Sequence, residues 1–234
     1  MNAILYVAGR AARLGAHTQG RHKVLLEFGG ESLLERHVRF LARLRVPKLF
    51  VVTGHRREQI ATILPGLQAR HGVELVELFN PDFTEGSALS MHTSLPALEA
   101  ARDGVLLMDG DVLYDLRMLR RLVASPHRTV LLVDRGFSTA DDDPVLVPMR
   151  NGKPFDFVKR WQGEADSVGE SIGFFKLDAA QLPLLIRETR ARSTGPGRAD
   201  SYDDILRALV RAGCFAAEDV TGLPWTEIDF PADV

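Results

Sequence analysis

The segment Ala3-Ile-Leu-Tyr-Val-Ala-Gly-Arg-Ala-Ala-Arg-Leu-Gly15, followed by His22-Lys23-Val-Leu-Leu-Glu-Phe-Gly-Gly30, sets the reading of the whole chain. The apolar run over 4–7 predicts a buried strand, and it opens directly into a loop of small residues carrying Arg10 and Arg13. Arg21 and Lys23 follow, and no acidic residue precedes Glu27. Small residues let backbone N–H groups approach phosphate oxygens, and guanidinium groups supply bidentate donors. A polyphosphate cradle is one reading of this loop; a surface loop with incidental arginines is the other. Neither Gly-x-x-x-x-Gly-Lys nor Gly-x-Gly-x-x-Gly occurs, so the usual phosphate-loop fingerprints do not apply.

Outward from that strand the first half alternates. Apolar runs predict strands at 49–53, 73–79, 105–108 and 129–133, and helical spacing predicts helices at 31–44, 58–70, 88–101 and 116–124. Pro65 marks a break or kink in the second of these helices. The connections are too long for hairpins, so a parallel sheet covered by helices on both faces is expected. Ligands in such sheets sit beyond the carboxyl ends of the strands, which places loops 9–23, 53–57, 80–87 and 109–115 on the binding edge. In the second half, Asn151-Gly152 predicts a hairpin between strands 145–149 and 154–161. A strand at 171–177, helices at 179–192 and 202–212, a flexible loop at 194–200 and a last strand at 226–230 complete the chain. The acidic turn at 141–144 reads as a solvated tip rather than a metal site.

Composition narrows the classes. The 234 residues suffice for one large domain. The net charge of −2 makes the basic opening a local feature, which disfavours a nucleic-acid binder. The single cysteine, Cys214, excludes an intramolecular disulfide or a cysteine zinc cluster and reads as a small buried residue. The opening apolar run is too short for a signal peptide or a membrane span, and a cytoplasmic enzyme is the expectation.

Acidic pairs complement the basic loop. Asp109-Gly-Asp111 directly follows a predicted buried strand, and carboxylates there suit Mg²⁺, which pairs with substrate phosphates; a plain Asp-Gly turn is the alternative. Glu227 and Asp229 share one face of the last predicted strand and could complete a metal sphere from across a cleft. Gly86-Ser87 opens the helix at 88, where N–H groups can meet a base or phosphate and Ser87 can serve as N-cap.

With these residues in view, the chain resembles the nucleotidyltransferase superfamily of sugar-phosphate and alcohol-phosphate nucleotidylyltransferases. Their opening Leu-Ala-Ala-Gly-x-Gly-x-Arg-Leu, with Pro-Lys soon after, appears here as Tyr6-Val-Ala-Gly-Arg-Ala-Ala-Arg-Leu14 and His22-Lys23. Ala11 replaces the usual second glycine and His22 the usual proline. The resemblance extends through residues 24–37, Gly86-Ser87, Asp109-Gly-Asp111, Gly169-Glu-Ser-Ile-Gly173 and Glu227-Ile-Asp229. It is strongest to the small phosphocholine cytidylyltransferase-like group, although Gly86-Ser87 stands where phosphocholine enzymes often have paired asparagines.

The resemblance implies an α/β, Rossmann-like three-layer sandwich of the GT-A-like kind, with a mostly parallel central sheet and a smaller acceptor-binding β/α subregion. One domain would span 1–234, its nucleotide-binding half near 1–135 and its acceptor-binding half near 136–234. It implies Mg²⁺-dependent transfer from CTP to a small alcohol phosphate or phosphonate, releasing pyrophosphate. Arg13, Lys23, Asp111 and Asp229 would be catalytic, with Asp111 and Asp229 holding the metal. Ala8, Gly9, Arg10, Gly86, Ser87 and Asp109 would contact the nucleotide, and Lys159, Glu170, Trp161, Tyr202 and Asp203 the acceptor. Phe174 and Trp225 join the pool for an aromatic cage should the acceptor bear an ammonium. The expected partners are small molecules, without nucleic acid or membrane, for a monomer or homodimer. A sugar-1-phosphate nucleotidylyltransferase using UTP or dTTP, and a non-catalytic nucleotide-binding regulatory module, are the alternatives.

Overall fold

Alternating apolar and amphipathic segments fold into three layers in the computed structural model, which describes residues 1–137 and 144–234. The chain runs β1 (Asn2–Tyr6), a short ribbon β2 (Glu27–Phe28) and β3 (Glu31–Ser32), α1 (Leu33–Arg43), β4 (Lys48–Thr53), α2 (Arg57–His71) and β5 (Glu74–Phe79). It continues with α3 (Ala88–Thr93), α4 (Leu95–Ala100), β6 (Val105–Asp109), β7 (Val112–Tyr114), α5 (Leu116–Ala124) and β8 (Val130–Asp134). After the undescribed residues come β9 (Leu146–Arg150), β10 (Lys153–Pro154), β11 (Ser167–Leu177), α6 (Leu182–Arg192), α7 (Tyr202–Arg211), β12 (Ala216–Asp219) and β13 (Trp225–Glu227).

The main sheet has the order β10-β9-β11-β6-β1-β4-β5, with β8 pairing β11 and β12. Strands β6, β1, β4 and β5 are mutually parallel, and β11 runs antiparallel to β6. Period-two alternation sends Ala3, Leu5, Leu106 and Met108 into the core beneath α1, α2 and α5. Ile4, Val105 and Leu107 face the other way, into the core under α3, α4, α6 and α7. Both faces are buried, so the central strands read as continuous apolar runs. Among the described residues no helix is long and apolar enough to cross a membrane.

The structure corrects several element boundaries. The helix expected at 88–101 is two helices: Ser94 Oγ donates to the Met91 carbonyl at 2.6 Å and Pro96 offers no N–H, so the run divides at Ser94. Helix α2 instead passes unbroken through Pro65, which lies on its exposed face where water can take the carbonyl that proline leaves unpaired. The hairpin at Asn151-Gly152 is present, but its return strand pairs only through Lys153 and Pro154, with Leu146 and Val158 forming one further bridge. Strand β11 starts at Ser167 rather than 171 because its first residues pair with β9 and its last with β6. The last strand ends at Glu227, before the Asp233 carboxylate accepts the N–H groups of Asp229 and Phe230 at 2.9 and 2.7 Å. The loop expected at 194–200 contains a short 3₁₀ turn, Gly195–Ala199. Strand β12 was not expected. The acidic turn at 141–144 lies largely outside the described residues.

Candidate functional site

The opening loop is tied down at both ends by backbone hydrogen bonds. Val7 N–H donates to the Val52 carbonyl at 2.9 Å, His55 N–H to Ala8 at 3.1 Å and Gly110 N–H to Tyr6 at 3.1 Å. The loop is thereby fixed between β4 and β6. At its turn Ala11 adopts φ 50°, ψ 43°, the left-handed region that glycine enters freely and that costs an L-residue roughly 1–2 kcal/mol. That conformation accounts for the usual glycine and makes Ala11 a strained substitute. The other departure is accommodated differently. His22 has φ −69°, ψ 141°, the backbone a proline is built for. Its N–H donates to Gln59 Oε1 at 2.7 Å, a bond proline lacks, and its Nδ1 accepts from Val24 N–H at 3.2 Å. Burial, then the nearby His55 and Lys23, push the His22 imidazole down to about 4, so it stays neutral.

The acidic half is assembled by a two-stranded ribbon. Antiparallel pairing of β7 with β13 sets Val112 opposite Glu227, and Ile228 N–H donates to the Asp111 carbonyl at 2.9 Å. Asp111 and Asp229 are thus brought side by side. Lys23 Nζ sits between them, 2.5 Å from Asp111 Oδ2 and 2.7 Å from Asp229 Oδ1. Arg13 lies 3.6 Å from Asp229 Oδ2, its guanidinium over the Phe230 ring. Burial opposes ionisation of Asp111, yet the charge and hydrogen bond of Lys23 hold its carboxyl below the usual range. Burial and the charges of Asp111, Asp229 and Glu170 raise Glu227 to about 8.

Burial and the Asp111 charge also hold Asp109 well above the ordinary carboxylate range. Its carboxylate accepts from the Tyr202 hydroxyl, 2.5 Å from Oδ1, and the Tyr202 ring stacks on Tyr6 with centroids 5.6 Å apart. Gly173, at φ 74°, abuts Asp109 so closely that a Cβ there would collide with its carboxylate.

A cleft of about 490 Å³ gathers most of the expected residues. Arg10, Arg13 and Lys23 line one side, Asp109, Asp111, Glu227 and Asp229 another, and Ser87, Lys159, Tyr202 and Asp203 a third. Ala8, Gly9, Gly86, Glu170 and Trp161 are not among its lining residues. Gly86 is pressed against the Arg198 and Asp200 carbonyls, Glu170 is buried on β11, and Trp161 packs edge-on against Phe155. Phe174 is fully buried against Tyr114 and His37, and Trp225 donates to Asp134 in a separate groove. Ser87 does not cap its own helix by side chain. Its hydroxyl accepts from the Tyr202 N–H at 2.9 Å, joining α3 to the start of α7. Sequence reasoning missed Ser201 in the lining. Its signal was the Ser201-x-x-Asp204 pattern, which forms a capping box and fixes the start of α7 beside the cleft.

The donor set suits a hard divalent cation. Asp111 and Asp229 present carboxylate oxygens to one small cationic volume, now the Lys23 ammonium, with the carboxyl groups of Glu227 and Asp109 lining the same cleft. Among the described residues no cage of three or more His, Cys, Asp or Glu side chains is preformed. Mg²⁺ needs only one or two carboxylates, taking its other ligands from water and phosphates.

A match to the MobA-like NTP transferase domain covers residues 3–211. The chain belongs to this family. Relatives of this NTP transferase domain include the CMP-5'-(3-aminopropyl)phosphonate synthase of Streptomyces rubellomurinus, 28% identical over 100% of this chain and 37% of the relative. The bifunctional IPC transferase and DIPP synthase of Rubrobacter xylanophilus is 29% identical over 100% of this chain and 50% of its own. The chain therefore spans half or less of these curated relatives. Among solved structures, the inositol-1-phosphate CTP transferase from T. maritima superposes with TM-score 0.79 at 21% identity, covering 100% of this chain and 91% of that one. The CTP:phosphocholine cytidylyltransferase from Streptococcus pneumoniae gives 0.76 at 20% identity, covering 99% and 95%. The shared architecture is the α/β nucleotidyltransferase fold, with a mostly parallel central sheet and flanking helices.

Proposed function

We propose that this domain is a cytidylyltransferase acting on a small phosphorylated acceptor. An oxygen of the acceptor's phosphate or phosphonate attacks the α-phosphorus of CTP, the bond to the β-phosphate oxygen breaks, and pyrophosphate leaves. No protein nucleophile takes part, so rate comes from alignment and charge neutralisation. The observation that carries this reading is the Lys23 ammonium held between Asp111 and Asp229 at the mouth of the arginine loop. Arg10 and Arg13 would take the β- and γ-phosphates, and Lys23 would exchange its carboxylate partners for the phosphates of both reactants. Lys159 would receive the acceptor phosphate. Asp111 and Asp229 would hold Mg²⁺, which when bound neutralises charge on the reacting phosphate oxygens.

The names of the relatives support the nucleotide and acceptor classes, since they speak of CMP and CTP and of phosphonate, inositol phosphate and phosphocholine. The test is pyrophosphate release with each of the four ribonucleoside triphosphates and dTTP, against phosphonate, alcohol-phosphate and sugar-1-phosphate acceptors. The highest rate is expected with CTP and a small acceptor. Turnover confined to UTP or dTTP with a sugar 1-phosphate would replace this reading, and tight CTP binding without any turnover would mark a regulatory module.

A further inference from the structure

We propose that His37 is a positioning residue for the Asp111 carboxylate, acting by fixing the peptide plane between Gly110 and Asp111; the inference rests on the nucleotidyl-transfer reading of the cleft. His37 lies on α1, outside the lining of the cleft, and is fully buried. Its Nε2 is 3.1 Å from the Gly110 carbonyl oxygen. A carbonyl only accepts, so this nitrogen carries the proton and donates.

The need for such a bond follows from the turn itself. Asp111 leaves the end of β6 where the chain passes hard against β1. A Cβ on Gly110 would stand 2.3 Å from Val7 Cγ1 and 3.0 Å from the Tyr6 carbonyl oxygen, so packing favours glycine here. Glycine has the widest backbone freedom of any residue, and it directly precedes the carboxylate assigned to the metal. Peptide groups are planar, so three consecutive planes determine where Asp111 points. The plane between Asp109 and Gly110 is held by the Gly110 N–H, which donates to the Tyr6 carbonyl at 3.1 Å. The plane between Asp111 and Val112 is held by the Asp111 carbonyl, which accepts from Ile228 N–H at 2.9 Å. The plane between Gly110 and Asp111 is the one that the His37 ring holds.

The ring is braced for this. It packs against Tyr114 with centroids 5.3 Å apart and edge-on against Phe174 at 6.2 Å. The rest of the buried face of α1 is apolar, formed by Leu33, Leu34, Val38, Phe40 and Leu41. Among the described residues the buried His37 Nδ1 has no hydrogen-bond partner, which disfavours folding. An apolar side chain would fill this place in the core without that cost. What the imidazole adds is the bond to Gly110.

The test compares His37→Leu, which deletes the donor and keeps an apolar filling, with His37→Gln, which restores an N–H at similar reach. Each is measured in CTP-dependent pyrophosphate release and in calorimetric binding of CTP with Mg²⁺ and with EDTA. His37→Leu is expected to raise the Mg²⁺ concentration at half-maximal rate at least about tenfold. Its affinity for CTP is expected to fall at least about fivefold in Mg²⁺ but less than about twofold in EDTA, a split that general loosening of the core would not give. In His37→Gln the Mg²⁺ shift is expected to shrink below about threefold. Wild-type Mg²⁺ dependence in a folded His37→Leu protein, equal losses in Mg²⁺ and EDTA, or a His37→Gln protein as impaired as His37→Leu overturns the positioning role and leaves nucleotidyl transfer standing. His37→Met, unbranched and also without a donor, replaces His37→Leu if the latter does not fold. Failure of both to fold places the bond in the fold rather than the site and overturns the role as well. Absence of pyrophosphate from wild type with every nucleotide and acceptor overturns both.

Discussion

At the scale of single residues, the two departures from the family pattern have opposite physical characters. Ala11 is held at positive φ, so glycine there removes strain while adding freedom to the unfolded chain. Ala11→Gly is expected to raise the melting temperature by about 2–4 °C, corresponding to about 1 kcal/mol for a chain of this size. Thermal unfolding followed by circular dichroism reads this directly; a fall in melting temperature would mean that the loop is not strained. His22 is integrated rather than strained. Replacing it by proline preserves the backbone angle but deletes the bonds to Gln59 and Val24. His22→Pro is expected to cost about 1–3 kcal/mol, measured by urea unfolding, and a neutral or stabilising result would contradict the role given to those bonds. The sequence makes both departures visible, but not their conformations. It likewise identifies Lys23, Asp111 and Asp229 as chemical types. It does not show that the Lys23 ammonium meets the Asp229 carboxylate, 206 positions away in sequence.

At the scale of elements, the acceptor side depends on how α7 is anchored. The Arg207 guanidinium on α7 grips Asp156 just after the short return strand, and the Phe157 N–H also donates to that carboxylate at 2.9 Å. Burial raises the Asp156 carboxyl, but these bonds overcome it and leave the group below its usual range. A folded-state value below the unfolded one means that the stabilisation is complete above the unfolded value of about 3.9 and is lost as pH falls through the lower, folded one. Asp156→Asn is therefore expected to lower the melting temperature at pH 7, with the gap to wild type constant down to about pH 4 and narrowing only below it. A gap independent of pH would show that the pair contributes through packing alone. This anchor was hidden in the sequence because residues 154–161 read as a continuous strand. Strand β12 was hidden for a related reason. Ala216-Ala-Glu-Asp219 carries no apolar alternation, because it joins the sheet by parallel pairing with β8, and β8 supplies the buried side chains. The first-half elements were legible because both faces of their strands are buried and their helices are amphipathic.

At the scale of the whole molecule, a net charge of −2 conceals two opposed local fields. The opening loop brings Arg10, Arg13 and Lys23 to the carboxyl edge of the sheet. Strand β6 and the β7–β13 ribbon bring Asp109, Asp111, Glu227 and Asp229 to the same edge. Lys23 is where the two fields meet, and a metal–nucleotide complex would supply both the phosphate for the arginines and the cation for the carboxylates. The most direct test compares wild type with Asp111→Asn in CTP-dependent pyrophosphate release, using an acceptor on which wild type turns over. Asp111→Asn is expected to lose at least about 100-fold in kcat while its circular dichroism spectrum stays that of wild type. Near-wild-type turnover in a folded Asp111→Asn protein would contradict the placement of the metal and of the reaction at this cleft.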